Sequence, residues 1–318
     1  MPSNDKQGAE HINLVAVIGP TAVGKTTLAL ALAQKFGGEI VGADSRQIYR
    51  YMDVGTAKPT AGERARVPHH IIDIVDPDET LTLGQYQQLA IDAIADIAGR
   101  GRLPILVGGT GLYVRTVVEG WTIPRVPPDH ALRGALAREA ESYGPTRLHQ
   151  QLQSVDPAAA QKVDPRNVRR VIRYLEVYHA TGEPISSRQS KEPPPYQTLQ
   201  LGLTLRRERL YEHIDARVDA MLRDGLLDEV RGLLARGYDE TLPALSGFGY
   251  RQLIAYLRGS LSFQQAVHET KKETRRFVRR QYAWFPLDDP NILWLEADEH
   301  AFEKAAEALV QFIQQRTS

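Results

Sequence analysis

The 318-residue chain contains no cysteine. Disulfides, thiolate nucleophiles and cysteine-based zinc sites are therefore excluded, and the composition suits a reducing compartment. No apolar run is long enough to cross a bilayer as a helix. Charge of neither sign is in excess: 39 basic and 39 acidic residues leave a formal net charge of +0, so no global basic field points to nucleic acid. Any such affinity must come from locally clustered charge. The stretch Met1–Glu10 is polar, lacks the pattern of a secretory or transit signal, and reads as a disordered tail. The chain as a whole, 42% hydrophobic and 25% charged, has the makeup of a globular protein expected in the cytoplasm.

Short β-branched runs alternate with helical patterns. Strands are expected at residues 12–18, 39–43, 70–75, 103–107, 199–205 and 292–295. Helices are expected at 26–36, 84–98, 213–223 and 301–315. Such alternation predicts a parallel α/β sheet with helices on both faces. Residues 124–196 break it: they carry helical patterns at 131–143, 146–153 and 167–181, no convincing strand, and close on Pro193-Pro194-Pro195. The expected architecture is a P-loop NTPase-like domain, residues 11–123 and 197–318, interrupted by an all-helical insertion at 124–196.

Gly19-Pro20-Thr21-Ala22-Val23-Gly24-Lys25-Thr26 fits the pattern G-x-x-x-x-G-K-[ST] between a predicted strand and a predicted helix. Backbone N–H groups of such a loop turn inward around phosphate oxygens, and the helix N-terminus adds its positive end. Lys25 supplies a mobile charge, and the Thr26 hydroxyl is a candidate Mg²⁺ ligand. The strand at 103–107 runs into Gly108-Gly109-Thr110-Gly111 without the aspartate that motor-type ATPases place there, which favours small-molecule kinases and other transferases. Asp44 ends the second strand, where open parallel sheets gather their ligands. It could serve as a general base, bind Mg²⁺ through water, or cap a following helix. Positive charge clusters twice. Lys271, Lys272, Arg275, Arg276, Arg279 and Arg280 lie within ten residues, and Arg166, Arg169, Arg170 and Arg173 lie in the insertion. Each is either a solvated helix face or an RNA-binding face. Phe277, Tyr282, Trp284 and Phe285 could stack on bases or belong to the core.

Taken in order, GPTAVGKT (Gly19–Thr26), ADSRQIYR (Ala43–Arg50), VGTAKP (Val54–Pro59), PHHIIDI (Pro68–Ile74), VGGTGLY (Val107–Tyr113), DPRNVRRVIRYLEV (Asp164–Val177), GFGYRQ (Gly247–Gln252) and RRQYAWF (Arg279–Phe285) resemble the tRNA dimethylallyltransferases from about Val15 to Trp294. The resemblance implies transfer of a dimethylallyl group from dimethylallyl diphosphate to the exocyclic amine of the tRNA adenosine 3′ of the anticodon. It implies Asp44 as base, with Lys25, Thr26-bound Mg²⁺ and Arg217 at the diphosphate. It places Ser45, Arg46, Gln47 and Thr110 at the target nucleotide, and the 247–252 segment (Gly249, Tyr250, Arg251) and Arg276, Arg279 and Arg280 on the RNA. Arg133, Arg169, Arg170 and Arg173 would meet the anticodon stem-loop from the insertion. Absence of cysteine implies the bacterial type, without the zinc finger of many eukaryotic members. Leu81–Gly84 departs from the family pattern, with altered packing near the prenyl pocket as the expected consequence. No coiled-coil pattern is present, and a monomer is expected. The competing readings are a P-loop small-molecule kinase, a prenyltransferase of free adenine nucleotides and a non-catalytic RNA-binding module.

Overall fold

The structure is a computed structural model that describes residues 12–188 and 190–315. The tail expected at 1–10 lies outside the described residues. The chain divides into two compact units, residues 1–118 with 194–318, and residues 119–193.

The first unit begins with β1 (Ile12–Ile18), α1 (Lys25–Phe36), β2 (Gly38–Gly42), α2 (Ala61–Arg66), β3 (His69–His70), α3 (Leu83–Gly99), β4 (Leu103–Gly108) and α4 (Gly111–Val118). After the second unit, which carries α5 (His130–Tyr143), α6 (Pro145–Val155), α7 (Pro157–Ala160), α8 (Val168–Thr181) and α9 (Ile185–Arg188), the first unit resumes. It continues with β5 (Tyr196–Thr204), α10 (Arg207–Arg223), α11 (Leu226–Ala235), α12 (Tyr250–Leu257), α13 (Phe263–Trp284), β6 (Ile292–Glu296) and α14 (Ala301–Gln314). The six strands form one sheet in the order β3-β2-β4-β1-β5-β6, and every neighbouring pair is parallel.

Strand β1 is central and is buried on both faces. Leu14, Ala16 and Ile18 join one core with Val41, Leu106, Tyr86 and Ile94, while Val15 and Val17 join another with Leu28, Leu32, Ile105 and Leu203. The period of two divides one apolar run between two cores, as an inner strand of a covered sheet requires. Helix α1 starts at Gly24 and stops at Gly37, both with positive φ (97° and 65°), conformations glycine adopts without a Cβ penalty.

The strand expected at 70–75 is a correction. Pairing with β2 stops after His69 and His70, because Ile71 (φ 63°) and Asp73 (φ 57°) turn the chain out of the sheet. Asp73 and Ile74 instead donate their N–H groups to the carbonyls of Gln47 and Ile48, and the Asp73 carboxylate accepts from Lys58 and Arg64. That buried-lysine contact compensates backbone strain of order 1–3 kcal/mol per residue. No helix follows Asp44 either; residues 45–48 are turns.

The second unit has its own core, built from Leu136, Leu148, Leu152, Val171 and Leu175. Asp156 caps α7 through Ala159 N–H (3.0 Å) and holds Ser186 (Oγ at 2.6 Å). Its chain ends run antiparallel, joined by Thr122 N–H to Ser190 O, Glu192 N–H to Gly120 O, and a bridge between Trp121 and Lys191. No helix among the described residues is long and apolar enough to cross a membrane.

Candidate active site

Three adjacent strands deliver the site. The P-loop follows β1, Asp44 follows β2, and the Gly108–Thr110 turn follows β4, so all emerge at one end of the sheet. They line a cleft of about 340 Å³ together with Arg217 and Val218 of α10, Phe248 and Tyr250 at the start of α12, and Phe277, Arg280 and Gln281 of α13. Its lining mixes polar groups with the apolar side chains of Ile214, Val218, Met221, Leu226, Phe248 and Phe277. The Phe248 and Phe277 rings meet at 5.2 Å.

The P-loop keeps its shape through glycine and one strained alanine. Gly19 has φ 138°, and a Cβ there would stand 2.4 Å from Leu203 O. Ala22 has φ 64°, and Val23 is buried. Lys25 Nζ donates to Pro20 O at 2.6 Å. Burial, reinforced by the nearby Arg217 charge and partly offset by Asp44, lowers the Lys25 pKa to about 7. Arg217 is likewise lowered by burial, with Asp44 pulling the other way. Two cations thus crowd one carboxylate in a desolvated pocket, an arrangement suited to a polyanion.

The Asp44 carboxylate accepts from Arg46 N–H at 2.8 Å, which locks the turn beyond β2. Thr110 Oγ1 accepts from Ser45 N–H at 3.0 Å and ties the β4 turn to the Asp44 turn. A hydroxyl at Thr26 and a carboxylate at Asp44 are hard oxygen donors of the kind Mg²⁺ takes. Among the described residues there is no group of three or more His, Cys, Asp or Glu that could hold a metal ion.

Other expected contacts are engaged within the protein. Arg46 donates to Pro243 O (2.6 Å), Ala244 O and Ser246 Oγ, and Gln47 to Thr56 O and Ala57 O. Gly249 and Tyr250 line the cleft, but the Tyr250 hydroxyl donates to Glu229; Arg251 is exposed outside it. In the second unit Arg133 and Arg173 are spent on Glu176, whose side chain is 1% exposed. Burial alone would raise that carboxyl; hydrogen bonds from both arginines and from Asp129 N–H hold it at about 2. Arg170 donates to Tyr174 at 2.9 Å, and Arg169 is exposed.

The basic run on α13 is more balanced than its sequence suggests. Lys271 pairs with Asp219, Lys272 with Glu269, Arg275 with Asp215 and Arg276 with Glu273. Arg279 and Arg280 are exposed, and Arg280 stands over the Phe277 ring at 5.9 Å. Of the aromatics, Phe285 is 1% exposed and belongs to the core, whereas Phe277 faces the cleft. Leu81 and Leu83 pack against the core cluster that also holds the cleft residues Leu226 and Tyr250, Thr82 caps α3, and none of the three lines the cleft itself.

The IPP transferase model matches residues 47–288. The chain belongs to the IPP transferase family. A tRNA dimethylallyltransferase of Roseiflexus sp. (strain RS-1) is 55% identical over 300 residues, covering 94% of this chain and 98% of the relative. The crystal structure of a full-length tRNA isopentenylpyrophosphate transferase from Bacillus halodurans superposes with a TM-score of 0.69 at 40% identity, covering 95% of this chain and 96% of that one. A eukaryotic dimethylallyltransferase, solved in crystallographic snapshots acting on tRNA, gives a TM-score of 0.83 at 30% identity, with 96% and 80% covered.

Among the cleft residues of this IPP transferase to which the sequence reading gives no role, Gln281 makes the widest-ranging contacts. Gln281 is 4% exposed; its Oε1 accepts from Thr21 N–H (2.9 Å) and its Nε2 donates to Gly109 O (2.8 Å), bracing the P-loop against the β4 turn. Its only sequence signal was its place in the RRQYAWF segment. Its partners lie 260 and 172 residues away, beyond the reach of local pattern.

Proposed function

We propose that this IPP transferase transfers the dimethylallyl group of dimethylallyl diphosphate to the exocyclic amine of the tRNA adenosine 3′ of the anticodon. The observation that carries this reading is the convergence of Lys25, Asp44, Thr110 and Arg217 on one cleft that is also lined by Ile214, Val218, Met221, Leu226, Phe248 and Phe277. The diphosphate lies against the P-loop N–H groups, Lys25 and Arg217, and the prenyl chain against these apolar side chains. The amine nitrogen attacks C1 of the prenyl group. The C1–O bond breaks with its electron pair leaving on the diphosphate, and the amine proton passes to Asp44. An adenine amine is a poor nucleophile because its lone pair is delocalised, so a positioned base contributes at the moment of attack. Lys25 and Arg217 stabilise the charge that grows on the leaving oxygen. Mg²⁺, held by Thr26 and the diphosphate, would add Lewis-acid neutralisation of that charge. Reaching Asp44 requires the adenosine to leave its stack. Ser45 and Thr110, which line the cleft, meet the flipped nucleoside in this reading, and Arg280 with Phe277 its neighbours. The helical insertion, through Arg169 and Arg170, holds the anticodon stem-loop. The protein acts in the cytoplasm as a monomer.

The test is mass spectrometry of unmodified tRNA incubated with the protein, dimethylallyl diphosphate and Mg²⁺. Gain of one prenyl unit on that adenosine, lost in Asp44→Ala, supports the reading. Phosphorylation of a small metabolite from ATP, with tRNA unchanged, would replace it with the kinase reading.

A further inference from the structure

Residues 53–58 form no ladder with the sheet, yet Gly55 and Thr56 line the cleft. Something other than strand pairing must fix them. At one end the buried Lys58 ammonium donates to Tyr49 O (2.8 Å), Asp53 Oδ1 (2.6 Å) and Asp73 Oδ1 (2.5 Å). At the other, three successive backbone N–H groups converge on one carboxylate. Asp53 and Val54 donate to Glu229 Oε2 at 2.7 Å each, and Gly55 donates to Glu229 Oε1 at 3.0 Å. The Tyr250 hydroxyl adds a fourth bond to Oε1 at 2.6 Å. The fit leaves no slack, since a Cβ on Gly55 would lie 2.5 Å from the Tyr250 ring.

The next carbonyl along the loop matters to the chemistry. Thr56 O accepts from Arg217 Nη2 at 3.5 Å and from Gln47 Nε2 at 3.2 Å. Arg217 thus takes its aim from a backbone oxygen whose place is set one residue earlier by Glu229. The following residue, Ala57, sits at φ 45°, a conformation that persists only when its surroundings impose it.

We propose that Glu229 is a positioning residue for transfer: its carboxylate fixes the 53–56 backbone so that Thr56 O holds the Arg217 guanidinium toward the leaving diphosphate. A long hydrogen bond to Arg217 makes the aim sensitive to loop displacement, and ångström-scale misplacement of a charge-stabilising group costs up to about a hundredfold in rate. The inference rests on the transferase reading above.

Glu229→Ala leaves three N–H groups and a hydroxyl facing a gap the size of a small carboxylate, and Glu229 is only partly buried, so formate can reach it. In the 318-residue chain, Glu229→Ala is expected to lower kcat roughly ten- to a hundredfold, with KM for tRNA within about twofold. Sodium formate should restore kcat several-fold, and sodium chloride at equal ionic strength should not. In an Arg217→Ala background, adding Glu229→Ala should cost little more, and formate should do nothing, because both act on one group. A kcat equal to the parent's, a loss that formate does not relieve, or full additivity with Arg217→Ala would each overturn the proposal. If Glu229→Ala fails to fold, Glu229→Gln provides the same readout: the amide keeps one acceptor but presents N–H to N–H, and a kcat loss without a KM change for tRNA is expected. Should the parent enzyme itself transfer no prenyl group, the functional reading fails and calorimetry with inorganic diphosphate and Mg²⁺ takes over. Weaker binding in Glu229→Ala, restored by formate only when Arg217 is present, sustains the positioning role; unchanged binding ends it.

Discussion

Asp44 and Lys25 carry the largest consequences of single-atom changes. The amide oxygen of an asparagine at position 44 could still accept the Arg46 N–H bond that locks the turn, so Asp44→Asn removes the proposed base while keeping its frame. Single-turnover prenyl transfer should slow about 10²–10⁴-fold, with tRNA affinity by filter binding nearly unchanged. A Lys25 pKa near 7 makes the ammonium largely neutral above that pH, until an anion restores its charge. Diphosphate binding should therefore take up a proton, with uptake growing from pH 7 to pH 9; titration calorimetry in buffers of different ionisation enthalpy reads it, and Lys25→Met should abolish it. The same shift has a stability sign. The unfolded chain holds this proton up to the ordinary lysine value of 10.5, so the group weakens the fold most below pH 7 and progressively less as pH rises.

At the scale of elements, α13 carries paired charge and exposed charge side by side. Arg275 is engaged with Asp215 (Nε to Oδ1 at 3.0 Å), whereas Arg279 and Arg280 point to solvent. Arg279→Ala and Arg280→Ala should each weaken tRNA binding and reduce the salt slope of log K by about one, while Arg275→Ala should lower stability and leave that slope nearly unchanged. In the insertion, Glu176→Ala strands Arg133 and Arg173. Because both arginines keep about a third of their surface exposed, a loss on the order of 2 kcal/mol is expected rather than the full cost of a buried charge, read by urea unfolding. Glu176 is held low, so its contribution is complete above the ordinary carboxylate value of 4.5 and is lost as pH falls toward 2. Sequence pattern located β1, β4, β5 and the insertion helices because each is an apolar period repeated over many residues. It failed at 70–75, where Ile71 and Ile74 look strand-like but Asp73 is recruited by Lys58. It also missed Glu229 and Gln281, and gave no sign of the intramolecular partners of Arg46 and Arg133, because a polar side chain's partner is set by the fold and leaves no local signature.

For the molecule as a whole, the second unit enters and leaves through an antiparallel pair of chain segments, at Gly120–Glu192 and Thr122–Ser190. Replacing residues 119–193 by a short glycine–serine linker should leave the parallel sheet cooperative in thermal unfolding and abolish tRNA binding. Undiminished tRNA affinity in that deletion would remove the insertion from the RNA contact.

That same placement sets the order of events on the ribosome. Strand β1 pairs with β4 on one side, and on the other with β5 over the full run from Ile12 opposite Tyr196 to Ile18 opposite Gly202. Once residue 118 has emerged, β1 can pair with β4 and β4 with β2, but the second edge of β1 waits for a strand that comes after the insertion. Synthesis of the intervening segment, at ordinary elongation speeds, takes on the order of ten seconds. Throughout that interval the nascent chain carries an open, largely apolar edge of the kind that recruits neighbouring chains. The insertion, with a core of its own, can fold during the same pause, so pausing codons within it would lengthen the period in which the half-sheet depends on chaperone protection.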